Sequence, residues 1–195
     1  KRGKHGNVGG MFKNRLFNDG KVFKHNDIKP QEYLPELYRV LKEGSHCYIM
    51  TNHINLTEML NVAQAVGFHF IKSLVWVKDN KIMGQCYMSQ FEYILFLRKG
   101  KHKRINNCGT SDVLCFPNKK MKGEDGKNLH DTEKPVGLME VLVTNSSNEG
   151  DIVLDPFMGI GSTGIACKNT NRQFIGIELD EKYYNTALNR MKGEM

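Results

Sequence analysis

The sequence lacks long apolar runs, and its cysteines and histidines show no regular spacing. No stretch of its 195 residues approaches the roughly 20 apolar residues that span a membrane, and no secretory signal is present. The five cysteines include no Cys-x-x-Cys pair, and the seven histidines include no His-x-x-x-His pair. These absences argue against a disulfide framework and a zinc site. We expect reduced thiols, no bound metal and a cytoplasmic protein.

A glycine-rich segment near the end of the chain separates two short apolar runs. Residues 155–164 read Asp-Pro-Phe-Met-Gly-Ile-Gly-Ser-Thr-Gly, and they follow the apolar run 152–154. A second apolar run, 174–177, ends at Glu178. A strand, a glycine turn, a helix and a second strand that ends in a carboxylate form a nucleoside-binding unit. The sequence therefore predicts such a site near its end.

The polar groups of this segment suit a nucleoside. Amides at the start of the helix, near Ser162, can donate to a ligand. Asp155 can accept from a ligand amine or hydroxyl, and Glu178 can accept from both hydroxyls of a ribose. An ordinary strand-to-helix turn would explain an isolated Gly-x-Gly better. The Asp-Pro-Phe run and the acidic strand end favour the nucleoside site.

A dinucleotide site is the alternative, because Gly159, Gly161 and Gly164 also satisfy the dinucleotide fingerprint. In that case Asp155 would lie near the pyrophosphate, where like charges repel. The 17 residues after Glu178 are also too few for the second half of a dinucleotide fold. A positively charged adenosyl ligand suits the local acidity better.

These residues resemble the cofactor region of amino-methylating DNA methyltransferases. The resemblance rests on residues 155–163, on the run His-Asp-Thr-Glu-Lys-Pro at 130–135, and on Gly150 with Asp151. It is closest to the permuted subgroup, in which the catalytic half precedes the S-adenosylmethionine half. The match covers residues 130–190 closely and continues more loosely upstream.

The resemblance implies an α/β fold, a Rossmann-like S-adenosylmethionine-dependent methyltransferase sheet with an antiparallel hairpin at one edge. It implies S-adenosylmethionine as cofactor and double-stranded DNA as partner. The reaction would be direct methyl transfer to the exocyclic amine of a flipped adenine, with the cytosine amine as the alternative. It also implies a bacterial or phage-encoded protein, with a possible companion restriction endonuclease. The implied cofactor-binding residues are Asp155, Pro156, Phe157, Gly159, Gly161, Ser162, Thr163, Glu178, Thr132, Lys134 and Pro135.

One part of the family pattern is missing. The catalytic Asp-Pro-Pro-Tyr, or a close variant, occurs nowhere in the chain, whose five prolines are isolated from one another. No residue is therefore assigned a catalytic role. In the family this motif would fall just before Lys1, so we expect an inactive fragment that lacks the central strand and is marginally stable. The alternatives are a cofactor- and DNA-binding relative without activity, and an RNA or small-molecule methyltransferase.

Positive charge is concentrated in two segments. Residues 1–29 and residues 98–130 each carry a net charge of +6, whereas residues 30–97 carry −1 and residues 131–195 carry −4. Basic segments that flank a neutral one favour a face that lies against phosphates, although solvated loops explain them about equally well. The expected DNA-binding residues are Arg98, Lys99, Lys101, Lys103, Arg104, Lys119 and Lys120.

Roughly 200 residues suffice for one core, so we expect a single methyltransferase domain over residues 1–195. Residues 1–29 would be a basic mobile loop and residues 30–97 the strands and helices of the catalytic half. Residues 98–130 would form a basic target-recognition loop, and residues 131–195 the S-adenosylmethionine-binding unit.

Apolar periodicity predicts three helices and three strands ahead of the glycine turn. The predicted helices cover residues 32–42, 55–66 and 135–144. The predicted strands cover residues 46–50, 68–77 and 92–97, and the last two form the expected hairpin. Trp76 is expected in the core, whereas Phe91 and Tyr93 are candidates for the border of a pocket for an extruded base.

Overall fold

The structure is a computed structural model that describes residues 28–82 and 87–194. The helices are α1 (Pro30–Val40), α2 (Leu56–Val66), α3 (Val136–Ser146), α4 (Ser162–Asn169) and α5 (Glu181–Lys192). The strands are β1 (His46–Thr51), β2 (His69–Ile82), β3 (Ser89–Arg98), β4 (Val113–Cys115), β5 (Ile152–Asp155) and β6 (Gln173–Gly176). The expected mobile loop lies outside the described residues, except for residues 28 and 29.

Four strands form one mixed sheet in the order β1-β3-β2-β4. β3 runs antiparallel to both β1 and β2, with Leu95 opposite Ile49 and Ile94 opposite Leu74. The predicted hairpin is therefore confirmed as β2 and β3. A further strand, β4, pairs in parallel with β2. The hairpin is thus not at the edge of the sheet on that side. Three residues of the expected recognition loop form β4, which pairs with the free side of β2.

The four-stranded sheet is covered on both faces. Ile94 and Leu95 are neighbours in β3 and point to opposite faces, and each is 0% exposed. Ile94 belongs to a cluster with Trp76 and with buried residues of α3 and α4. Leu95 belongs to a second cluster with buried residues of α1 and α2. Trp76 is 0% exposed, which confirms its predicted place in the core.

α1 ends before the residue that the sequence indicated as its stop. The helix covers Pro30–Val40 rather than residues 32–42, and Gly44 adopts its positive φ of 76° only in the turn that follows. The Lys99 ammonium donates to the carbonyl oxygens of Tyr38 at 2.7 Å and of Leu41 at 2.8 Å. A cation at the carboxyl end of a helix complements the helix dipole, so a distant side chain stabilises this terminus.

The predicted strand, glycine turn, helix and strand near the chain end are confirmed. β5 and β6 pair in parallel, with Leu154 opposite Ile175, and α4 connects them. Gly176 lets one face pack closely, since a Cβ atom there would lie 2.3 Å from Met158 Sδ. Helix α5 was not predicted. A signal for it was present in Asp180, whose carboxylate accepts from two amides at the helix start.

The other face of this two-stranded sheet is bare. Ile175 is 51% exposed and Leu179 is 78% exposed. Ile152, Leu154 and Ile177 are exposed as well. Within the described residues, β5 and β6 pair only with each other, and β1 pairs only with β3. β1 and β5 each therefore present an unpaired edge, and a contiguous apolar surface of this kind marks a place where other atoms pack.

Candidate functional site

Asp155, the last residue of β5, holds the turn that follows it. Its Oδ1 atom accepts a hydrogen bond from the Phe157 N–H at 3.0 Å, and its Oδ2 atom accepts from the Thr163 hydroxyl at 2.6 Å. The carboxylate thus ties the strand end to the first turn of α4. Burial raises the pKa of the Asp155 carboxyl, and the hydrogen bonds from Thr163 and Phe157 oppose this rise.

The two central glycines of the turn are required by backbone geometry and by space. Gly159 and Gly161 have φ values of 53° and 80°, in the left-handed region that favours glycine. A Cβ atom on Gly159 would lie 3.1 Å from His130 Nε2, and one on Gly161 would lie 3.0 Å from Ala187 Cβ. The backbone is therefore held closely between the His130 segment and α5.

Glu178 follows β6 and binds the same turn from the other side. Its Oε2 atom accepts from the Gly159 N–H at 2.9 Å, and its Oε1 atom accepts from the Asp180 N–H at 2.9 Å. Each carboxylate oxygen has a second lone pair, so both can still accept from a ligand hydroxyl. Two carboxylates, Asp155 and Glu178, thus flank one glycine turn. This arrangement suits a ligand that carries hydroxyl groups and positive charge.

An aromatic pair borders the turn. The Phe157 side chain is 52% exposed, and its ring lies edge-on to the Tyr33 ring of α1 with centroids 5.0 Å apart. The Tyr33 hydroxyl donates to Met59 Sδ at 3.2 Å, and burial raises the pKa of Tyr33 to about 12. Tyr33 was missed by sequence reasoning, because it lies on the apolar face of α1 and local pattern gives no sign of a contact so far along the chain.

The segment ahead of α3 brings Lys134 next to the turn. Its ammonium donates to the Thr132 carbonyl at 2.8 Å and lies 3.6 Å from Glu92 Oε2. Burial lowers the pKa of Lys134, and the charge of Glu92 opposes this change. The charge of Lys134 in turn favours ionisation of Asp155. Pro135 is the N-cap of α3, which confirms the predicted helix start within one residue.

Three lysines form a group that we call the lysine cluster, namely Lys78, Lys120 and Lys134. The Lys78 ammonium lies 2.6 Å from Glu92 Oε1 and 4.9 Å from the centre of the Trp76 ring. The Lys120 ammonium lies 5.8 Å from the same ring. Sequence reasoning did not group these residues, because β2 supplies Lys78 and the distant connection between β4 and α3 supplies Lys120 and Lys134.

The structure divides the expected DNA-binding residues into two groups. Arg98 ends β3 opposite His46, and Glu92 lies six residues earlier on the same strand. At about 3.3 Å per residue, Arg98 is roughly 20 Å from Glu92 along the strand. Lys120 is instead part of the lysine cluster. The first group is Arg98, Lys99, Lys101, Lys103 and Arg104, and the second is Lys119 and Lys120.

The remaining predicted cofactor-binding residues differ in how far they are buried. Pro156 and Thr163 are half-buried in the turn, Ser162 is buried at the start of α4, and Thr132 is exposed.

Cys47, Cys108, Cys115 and Cys167 are free thiols, and Cys86 lies outside the described residues. Across residues 28–82 and 87–194, no three His, Cys, Asp or Glu side chains are grouped to hold a metal ion. None of the helices in these ranges is long and apolar enough to cross a membrane.

Two bacterial relatives are similar to the chain along most of its length. The Type II methyltransferase M.HinfI of Haemophilus influenzae is 29% identical over 194 residues, which cover 90% of this chain and 53% of the relative. The Type II methyltransferase M.HpaI of Haemophilus parainfluenzae is 31% identical over 204 residues, which cover 93% of this chain and 62% of the relative. The chain therefore spans about half to three fifths of the length of these relatives.

Solved structures share the fold. The M1.HpyAVI–SAM complex superposes with a TM-score of 0.71 at 31% identity, over 83% of this chain and 81% of that chain. The cytosine-N4-specific PvuII DNA methyltransferase has a TM-score of 0.71 at 15% identity, over 87% of this chain and 74% of that chain. At that identity the second likeness shows the fold alone. Together they confirm the predicted α/β methyltransferase fold.

A family model described as DNA methylase matches residues 28–189, which are most of the chain. The match includes the glycine turn, both of its carboxylates and all strands of the two sheets. The predicted resemblance is confirmed at this level, and the chain belongs to the N6/N4 family of DNA methylases.

Proposed function

We propose that the chain binds S-adenosylmethionine at the glycine turn and is part of a DNA methyltransferase that acts on an exocyclic amine. The observation that carries this proposal is the pair of carboxylates, Asp155 and Glu178, which hold one turn from two strand ends. The relative M1.HpyAVI, solved with SAM, supports this choice of donor. When bound, S-adenosylmethionine supplies a methyl group on a positively charged sulfur.

The turn fits an adenosyl ligand by its chemistry. Gly159 and Gly161 adopt left-handed backbone conformations, and the turn that they form is held by Asp155 and Glu178 with Phe157 beside it. Glu178 accepts from ribose hydroxyls, the exposed ring of Phe157 offers an apolar surface to the adenine, and Asp155 adds negative charge for the sulfonium. The other proposed contacts are Pro156, Ser162, Thr163, Thr132, Lys134 and Pro135.

The proposed substrate is double-stranded DNA, and adenine is the preferred target. Since the exocyclic amine lies inside the base stack, the target base must swing out before it can meet the donor. Phe91 is 45% exposed, and its ring lies edge-on to Tyr93 with centroids 5.1 Å apart. This pair flanks Glu92 and is our candidate surface for stacking the extruded base. Cytosine is the second candidate target, because the PvuII fold neighbour is specific for cytosine N4.

We also propose that a strand from outside the described residues completes the sheet between β1 and β5. The unpaired edges of β1 and β5 and the bare apolar face support this proposal. The same added segment would carry the Asp-Pro-Pro-Tyr motif that the 195 residues lack. The chain alone would then bind donor and DNA without methylating. A relative that binds both ligands and never methylates is the alternative.

The names of the two relatives bear on the biological setting. Both M.HinfI and M.HpaI are Type II methyltransferases of Haemophilus species. This supports the proposal of a bacterial or phage-encoded cytoplasmic enzyme with a companion restriction endonuclease.

Donor binding is tested by calorimetry with S-adenosylmethionine and with its neutral thioether, S-adenosylhomocysteine. The variant is Asp155→Asn, and the control is Asp151→Asn, which alters a carboxylate that accepts only from nearby backbone. Asp155→Asn should weaken S-adenosylmethionine binding about tenfold to hundredfold, since hydrogen bonds to a charged group contribute about 1.5–3 kcal/mol. Asp155→Asn should also reduce the ratio by which the chain binds S-adenosylmethionine more tightly than S-adenosylhomocysteine. Unchanged binding, or binding of a nicotinamide dinucleotide instead, would contradict the proposal.

Methyl transfer is tested by incorporation of labelled methyl groups into duplex DNA. The chain alone is compared with a fusion in which a segment that carries Asp-Pro-Pro-Tyr precedes residue 1. We expect incorporation only with the fusion. A fusion that binds donor and DNA and transfers nothing supports the inactive relative. Protection of residues 98–130 from protease by RNA and not by duplex DNA would overturn the choice of DNA.

A further inference from the structure

We propose that the lysine cluster and the cavity beside it bind a phosphate of the nucleic-acid backbone. The inference rests on the proposed function and deepens it, because it places the DNA beside the donor site. The site would consist of Lys78, Lys120 and Lys134, with Lys119 at its rim.

The cluster has more positive than negative charge. Glu92 is the carboxylate in ion-pair contact with it among the described residues, at 2.6 Å from Lys78 and 3.6 Å from Lys134. Glu133 is occupied elsewhere, because its carboxylate pairs with Arg190 at 3.1 Å and accepts from the Met121 N–H at 2.7 Å. Lys120 donates to the backbone carbonyl of Glu133 instead. Three ammonium groups thus have one ion-pair partner in Glu92, while the nearby charges of Glu133 and Asp155 favour the charged forms of Lys120 and Lys134 respectively.

These ammonium groups are poorly hydrated. The Lys78 side chain is 5% exposed and the Lys134 side chain 23% exposed. Burial and the nearby charge of Lys134 lower the pKa of Lys120 to about 8. Like charges held together away from water destabilise one another. An oxyanion between Lys120 and Lys134 would relieve this repulsion.

A cavity of about 390 Å³ lies against the cluster, lined among others by Phe116, Pro117, Lys119, Lys120 and Lys134. A second cavity of about 510 Å³ shares Lys119 and Lys120 and is lined further by Asn80, Asn118, Lys122, Asn128 and one carboxylate, Asp131. Ammonium and amide groups are the usual donors to nucleic-acid phosphates. The two cavities share Lys119 and Lys120 in their linings, and we call the two together the groove.

The groove favours a phosphate over the carboxylate of the donor, which is the other oxyanion that could approach the cluster. That carboxylate could approach Lys134, because Lys134 also lies near Asp155. A single carboxylate at Lys134 would not account for Lys119 and Lys120, which line both cavities, while Lys122 already donates to Asn128 Oδ1 at 2.7 Å. A backbone with several phosphates occupies both cavities at once, so we assign the cluster to nucleic acid.

The ligand is identified by an NMR titration that measures the pKa of the Lys120 side chain in the whole 195-residue chain. The Lys120 signal is assigned by its loss in the Lys120→Arg variant. Separate titrations contain inorganic phosphate, a short DNA duplex, or S-adenosylmethionine. Phosphate and duplex should each raise the pKa of Lys120, and S-adenosylmethionine alone should not. A rise caused by S-adenosylmethionine and not by phosphate would assign the cluster to the donor carboxylate. The absence of a rise with phosphate and with duplex would overturn the proposal.

The contact is measured by duplex affinity as a function of salt concentration. Lys120→Gln removes one cluster charge, and the matched control Lys127→Gln removes one exposed charge of the same basic segment. Lys120→Gln should weaken binding several-fold and reduce the log–log salt slope by about one. Lys127→Gln should change affinity less than about twofold, since a solvated charge gains little from one phosphate.

The outcomes separate this inference from the proposed function. Lys120→Gln should leave S-adenosylmethionine affinity unchanged, and a thermal melt checks its folding. If the wild-type chain binds donor and duplex but Lys120→Gln behaves as Lys127→Gln does, the inference alone fails. If the wild-type chain binds no S-adenosylmethionine, the proposed function fails.

Discussion

The four-stranded sheet and the two-stranded sheet differ in how completely they are covered. Ile94 and Leu95 bury the two faces of the first sheet under separate groups of helices. The second sheet packs one face tightly, through Gly176 and Met158, and exposes Ile175 and its neighbours on the other. The glycine turn belongs to the second sheet. The candidate site therefore lies on a sheet that has one face bare.

The largest expected difference between the two sheets is in the unfolding free energy that is lost when an apolar side chain is shortened to alanine. Leu95→Ala removes a side chain that is 0% exposed, and it should cost about 2–5 kcal/mol of unfolding free energy. The matched control, Ile175→Ala, removes a half-exposed side chain and should cost under about 1 kcal/mol. Urea unfolding of both variants measures the contrast. Equal costs would show that the bare face is covered in solution.

The packed face of the two-stranded sheet should resist added volume. In Gly176→Ala the new Cβ atom would lie 2.3 Å from Met158 Sδ, and overpacking of this kind costs about 1–3 kcal/mol. Met158→Ala makes room, so the double variant should lose less than the sum of the two single variants. A double-mutant cycle by urea unfolding gives the coupling. Additive losses would mean either that the sulfur moves aside freely or that the overpacking comes from the Phe174 ring, whose Cε1 atom would lie 2.6 Å from the new Cβ atom.

The two groups of basic residues should differ in what they stabilise. Lys99→Met removes the donor to the carbonyl oxygens at the end of α1 and should cost about 1 kcal/mol. The control Lys101→Met changes an exposed side chain and should stay within about 0.5 kcal/mol. Thermal melts measure both. If Lys99→Met instead keeps its stability and loses duplex affinity, Lys99 contacts DNA as the sequence suggested.

The smallest expected effect is a loss of stability at acidic pH, which comes from His46 in β1 of the four-stranded sheet. His46 Nδ1 lies 2.8 Å from Ser146 Oγ, and burial lowers the pKa of His46 from 6.5. Below pH 6.5 the unfolded chain therefore binds a proton more readily than the folded one. This contribution to stability is present above that pH and is lost as the pH falls toward the folded pKa. His46→Gln should flatten the decline, and parallel curves for both proteins would exclude His46 as its source.

Local patterns predicted the parts of the molecule whose contacts are close along the chain. The apolar run, glycine turn and acidic strand end gave β5, the start of α4 and β6, because each step is made by neighbouring residues. β2 and β3 were predicted for the same reason, since a short connection joins them. Asp155 and Glu178 were correctly placed at strand ends. Their bonds to Thr163 and Gly159 became visible only in the folded turn.

Contacts between distant segments were not predictable from pattern. β4 has three residues and no periodicity of its own, and it exists because β2 offers it an edge. The lysine cluster depends on Lys78 and Lys134 meeting at Glu92, and no spacing in the sequence encodes that meeting. Net charge also failed to separate Lys99 from Lys120, because a charge count carries no information about where a residue lies in the fold.

Lys134 stands between two negatively charged residues, Asp155 on one side and Glu92 on the other. A ligand that changes the electrostatic potential at either residue therefore changes how favourable the ammonium is for the other. If donor and phosphate bind as proposed, thermodynamic linkage makes this influence mutual, so occupancy of the turn and occupancy of the groove alter each other's affinity by the same factor. A single side chain would then give the two binding events a shared energetic term.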